Sequence, residues 1–117
     1  MSPIQRKAID DLVSDLGGDQ ATVAEILASF LEEAPTVLEQ LRQAAAAKDL
    51  EGARRAAHTL KSTSAQFGAM ALSEKCKEAE FAAKAGTLPA PGVLAELQRL
   101  WEAAKAELVV EQRALGA

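Results

Sequence analysis

A single cysteine, Cys76, in 117 residues excludes an internal disulfide framework and any cysteine-rich zinc site. Tyrosine is absent and aromatics amount to only 3%, so a core must be mostly aliphatic, with alanine letting helices approach closely. Seven glycines and four prolines are a poor supply for the turns of a β-sandwich. No apolar run approaches the ~18 residues of a membrane span. The opening "MSPIQRKAIDDL" lacks the apolar centre of a signal peptide, which points to the cytoplasm. A net charge of −4 gives no general attraction to nucleic acid or anionic lipid.

What the chain does contain is helix-forming. Ala, Leu, Glu, Lys, Gln and Arg dominate. With 49% hydrophobic residues, one compact domain spanning 1–117 can bury a single core. Ile4, Ala8, Ile9, Leu12 and Leu16 fall at helical spacing and predict a short first helix, stopped by Gly17 and Gly18. Asp19 is placed to cap a second helix from Gln20 to about Ala47, with Val23, Ile26, Leu27, Phe30, Ala34, Val37, Leu38 and Leu41 inward. Pro35 inside it removes a backbone hydrogen bond and is expected to bend or split it. Asp49 suits the cap of a third helix whose seam is Leu50, Ala53, Ala57, Leu60, Ser64 and Phe67.

Gly68 allows a turn into a fourth helix, from about Ala69 to Ala85, with Leu72, Cys76, Ala79 and Ala83 inward. The breakers of "AGTLPAPG" precede a last helix from about Pro91 to Gln112, striped by Leu94, Leu97, Trp101, Ala104 and Leu108. The expected fold is all-α: an antiparallel four-helix bundle, with the short N-terminal helix across one end.

The only histidine, His58, lies beside the seam but points outward at ~100° per residue. Arg54 and Arg55 lie one turn before it, Lys61 and Ser62 one turn after. Like-charge repulsion in this basic patch favours the neutral, nucleophilic imidazole, and the patch attracts a dianion such as a phosphoryl group. A lone histidine among Arg and Lys is more often simply a solvated face. With no Cys or carboxylate at i+4, a metal site is not indicated.

Residues 57–80, "AHTLKSTSAQFGAMALSEKCKEAE", resemble the signature of histidine-containing phosphotransfer (HPt) domains, roughly A-H-x-L-K-G-S-S-A-x-x-G-A followed by L-x-x-x-C-x-x-L-E. The resemblance extends from about Gly18 to Gly86. It implies that His58 is the phosphoacceptor, that Lys61 lies near the phosphoryl oxygens, and that Glu80 faces and orients His58. Ser62 stands where the family most often has glycine, and Ala79 where leucine is usual. Gly68 matches the glycine after the active helix, and Cys76 a core cysteine. Lys84 matches a frequent basic residue near the site, although an i,i+4 partnership with Glu80 accounts for it equally well.

The function so implied is phosphorelay transfer. A receiver-domain aspartate, or a histidine kinase, donates to His58, and a second receiver accepts. Receiver domains and a hybrid kinase are the expected partners of a monomeric carrier. No cofactor is expected on this chain, because the required Mg²⁺ belongs to the receiver's acidic pocket. No Gly-rich phosphate loop is present, so ATP-dependent autophosphorylation is not expected. The alternative is a helical docking module that binds a regulator without carrying phosphate. A histidine-based hydrolase is disfavoured, since Ser62 is the one reachable hydroxyl and no oxyanion hole is visible. Phe81 points away from the seam, either as a partner contact or as a lid over a groove.

Overall fold

The computed structural model describes residues 2–116, so Met1 and Ala117 of the expected domain lie outside it. Five helices follow in order: α1 (Arg6–Asp15), α2 (Gln20–Ala46), α3 (Leu50–Gln66), α4 (Met70–Lys84) and α5 (Pro91–Gly116). No strand occurs among the described residues. Helices α2 to α5 form the bundle, with α3 packed mainly against α4 and α2, and α5 against α2 and α4.

The helix ends follow the local chemistry. Asp19 accepts from the Thr22 amide at 3.0 Å and Asp49 from the Gly52 amide at 2.9 Å, each cap contributing about 1 kcal/mol. Gly17 and Gly18 both take positive φ and end α1. Just past the end of α2, Lys48 has a φ of 57°, an ordinary residue where glycine is usual. Gly68 is required in the α3–α4 turn. Its φ is +77°, and an added Cβ would stand 2.3 Å from the Gln5 carbonyl oxygen. The Gln5 amide also donates to the Gly68 carbonyl at 2.8 Å. Arg6 meets Glu111 of α5 at 3.5 Å. Together these contacts hold the N-terminal segment at the end of the bundle where α3 turns into α4.

Three sequence expectations are corrected. Pro35 does not split α2, which runs through it from Gln20 to Ala46. Phe30, Ala34, Leu38 and Leu41 are buried on both sides of the proline, and this shared packing outweighs a local cost of about 3 kcal/mol. Ile26 and Leu50 are exposed rather than part of the core. Leu50 is the first residue of α3, at the chain reversal. Val37 and Leu94 are only half-buried, at the margin of the core.

Aromatic rings gather at one place. Phe30 stacks on Phe67 with centroids 5.1 Å apart and meets Trp101 edge-on at 5.4 Å. The α3–α4 interface is built differently, from Ala53, Ala56, Ala57 and Leu60 on one side and Leu72, Cys76, Ala79 and Ala83 on the other. Cys76 is fully buried there, and burial pushes its thiol up to about 12, so it is an inert core residue.

Candidate functional site

His58 lies on the outer edge of α3, with 54% of its side chain exposed. Its Nδ1 is 2.9 Å from Glu80 Oε2 on α4. Glu80 itself is buried, with only 2% of its side chain exposed. The inward side of α4 explains this. Ser73 and Glu80 stand two turns apart on one face and are the polar members of an otherwise apolar stripe.

A buried carboxylate needs compensation. Lys61 Nζ lies 2.6 Å from Glu80 Oε1, and Lys84 Nζ 3.5 Å from Oε2. The Lys61 contact is an ion pair by distance but is poorly angled for a hydrogen bond, so Oε1 has no well-directed donor within the protein. Burial alone would raise the Glu80 carboxyl. The close positive charge of Lys61 and the hydrogen-bonded contact with His58 outweigh it and hold the group down to about 2. Glu80 is therefore ionised throughout the neutral range. An ionised carboxylate can only accept hydrogen bonds, so neutral His58 must carry its proton on Nδ1. The lone pair then lies on Nε2, the ring nitrogen on the side away from Glu80.

The other residues of the patch divide. Arg54 is held by Glu51 through Nε to Oε2 at 2.9 Å and Nη2 to Oε1 at 2.6 Å, so much of its charge is already answered. Arg55 turns to a groove of about 460 Å³ between α2 and α3, lined also by Gln40, Gln43, Asp49 and Thr59. Of the expected patch, Lys61 is the member that joins the His58 cluster, where Lys84 meets the same carboxylate. Ser62 is exposed one turn beyond His58. Gly68 serves the turn at the far end of α3 and lies against Gln5, not in the His58 cluster. Lys84 meets both descriptions given to it: it is the i,i+4 partner of Glu80, and through Glu80 it borders His58. Phe81 is 51% exposed, with the Lys77 and Lys84 ammonium groups 5.7 and 5.4 Å from its ring centroid. It presents an apolar face beside the site.

Sequence reasoning missed Ser73. Its hydroxyl donates to the Lys61 carbonyl at 2.9 Å, tying α4 to α3 at the residue whose side chain also meets Glu80. The readable signal was its seven-residue spacing from Glu80, which puts both on one helical face. The Glu51 clamp on Arg54 was legible too, as an i,i+3 pair. Among the described residues, no three or more His, Cys, Asp or Glu side chains converge to hold a metal ion. No described helix is long and apolar enough to cross a membrane.

An exposed nucleophilic nitrogen, a buried carboxylate fixing its tautomer and two flanking ammonium groups define a site able to take up an anionic electrophile. Comparison with protein families agrees: residues 25–107 match the Hpt domain. The chain belongs to the histidine-containing phosphotransfer (Hpt) domain family, the phosphoryl carriers of two-component phosphorelays. In fold it is similar to histidine-containing phosphotransfer protein B (HptB) from Pseudomonas aeruginosa PAO1, with a TM-score of 0.84, 24% identity and 95% of each chain covered. No curated protein sequence matches it.

Proposed function

We propose that the protein carries a phosphoryl group on His58 Nε2 between receiver-domain aspartates, or from a histidine kinase to a receiver. The observation that carries this reading is the 2.9 Å contact of His58 Nδ1 with ionised Glu80, which leaves the lone pair of the neutral ring on Nε2 in a side chain that is 54% exposed. An aspartyl phosphate presented in line is attacked by Nε2. Catalysis is then mainly a matter of positioning and charge. Lys61, one turn from His58 on α3, is the cation suited to follow the phosphoryl oxygens, and Lys84 shares its carboxylate partner Glu80. Ser62, small and exposed, leaves room for the partner's loop, and Phe81 offers an apolar contact next to the site. The Mg²⁺ that the step requires is supplied by the receiver's acidic pocket. This chain acts as a carrier, with no ATP chemistry of its own.

The test is to incubate the protein with ³²P-labelled receiver domains and follow acid-labile label. Label on the wild type and none on His58→Gln is the expected result. Acid-stable label, or equal label on both proteins, overturns the assignment. If receivers bind without any transfer, the protein is the docking module considered as the alternative.

A further inference from the structure

We propose that Glu80 keeps the Nδ1 proton on His58 while Nε2 bears the phosphoryl group, so that the ring always leaves as neutral imidazole and the relay step moves no proton. This rests on His58 being the phosphoacceptor.

The bond changes balance without a proton donor or acceptor. Before transfer the ring is neutral, with a proton on Nδ1 and a lone pair on Nε2. That pair forms the N–P bond as the O–P bond of the aspartyl phosphate breaks, and the O–P electron pair remains on the donor's carboxylate. The ring is now an imidazolium with its proton still on Nδ1. In the onward step a carboxylate oxygen of the acceptor forms the new O–P bond. The N–P pair returns to Nε2, and neutral imidazole is restored with its proton where it began. Had the phosphorylated ring lost that proton, the leaving group would be an imidazolide anion, and onward transfer would be much slower.

The geometry is suited to retaining the proton. The acceptor of Nδ1–H is a full negative charge, not a neutral amide, at 2.9 Å. It is 2% exposed, so water does not compete for its place. From α4 the ring faces Glu80 and Lys84. From α3 it faces Lys61 and Arg54, the latter clamped by Glu51, while Arg55 turns to the groove beside α2. Lys61 and Lys84 oppose a positive ring, yet each is itself ion-paired with the same carboxylate, at 2.6 and 3.5 Å, which offsets part of its charge. The direct hydrogen bond to the carboxylate at 2.9 Å therefore sets the balance at Nδ1.

Glu80→Gln separates charge from orientation, because its amide oxygen still accepts from Nδ1–H. The protein is phosphorylated with phosphoramidate. The Nδ1 proton is then followed by ¹⁵N NMR against pH, and phosphoryl loss by ³¹P NMR. The wild-type phosphorylated ring is expected to hold its proton to a pH at least about one unit higher than Glu80→Gln, a tenfold difference in proton affinity. Phosphoryl loss in the wild type should keep its neutral-pH rate correspondingly further into the alkaline range. Urea-unfolded phosphoprotein gives the same reference without any substitution, should the variant fold poorly. Coincident titrations in folded wild type, Glu80→Gln and unfolded chain overturn the proton-holding role and leave the carrier reading intact. Failure of phosphoramidate to label His58 at all overturns both.

Discussion

The aromatic end of the bundle and the α3–α4 interface solve different problems. Around Phe30, Phe67 and Trp101 the contacts are large, apolar and fully buried. They are non-directional, so they stabilise the bundle without fixing any one side chain against another to a fraction of an ångström. Between α3 and α4 the side chains are small, and two polar ties cross the gap: Ser73 to the Lys61 carbonyl, and Glu80 to His58 and Lys61. Alanine surfaces slide easily, whereas directional contacts set register. Stability is concentrated in one region and alignment of the site in the other.

This contrast breaks most sharply at His58. Replacing it with Gln should abolish phosphoryl uptake while changing stability by only ~0.5 kcal/mol, as for an exposed position. Urea denaturation beside a label-transfer assay tests both halves. Trp101→Ala should do the reverse. A loss of about 3–5 kcal/mol is expected for a buried aromatic, read by circular dichroism because the variant has no tryptophan left to fluoresce. The folded fraction should still transfer at the normal rate. A large transfer defect in folded Trp101→Ala would mean that the aromatic end also positions the site.

Lys61→Ala comes next. Losing a charge-assisted contact of about 1.5–3 kcal/mol should slow transfer roughly ten- to a hundredfold, while the fold persists with Lys84 still beside Glu80. Ser73→Ala sharpens the register argument. Its hydroxyl contributes about 1 kcal/mol, and its removal should also shift the ¹⁵N signals of the His58 ring, which it does not touch. Ring signals identical to wild type would limit Ser73 to a purely stabilising role.

The last test is read against pH and belongs to Glu80. Its folded-state carboxyl is lowered from 4.5 to about 2. A depressed carboxyl adds stability that is fully present above its unfolded value. Wild-type stability should therefore be level above about pH 4.5 in this contribution and fall as pH drops toward 2. Glu80→Gln should lack that part of the acid loss when urea midpoints are compared across the window.

Much of this could be read along the chain. The Asp19 and Asp49 caps, the Gly17–Gly18 stop, the Gly68 turn and the bundle architecture are encoded by short-range rules of capping, backbone freedom and helical period. His58 stood out as the lone imidazole on an outward face. Its meeting with Glu80 came from family resemblance, since periodicity places residues on a face but does not say which faces touch. Other features escaped local rules. Lys48 adopts a left-handed turn without glycine, and α2 passes through Pro35 unbroken because packing on both sides outweighs the local penalty.

The sequence by itself determined the helices, their apolar stripes and the chemistry available at His58, because these depend on residues within a turn or two of one another. Tertiary structure alone decided that Glu80 is buried and ionised beneath His58, that Lys61 and Lys84 converge on it, and that Ser73 locks the Lys61 backbone. Each of those facts depends on how far α4 is shifted along α3. That shift is settled only when the two helices pack, and small apolar side chains leave it to the polar ties to choose.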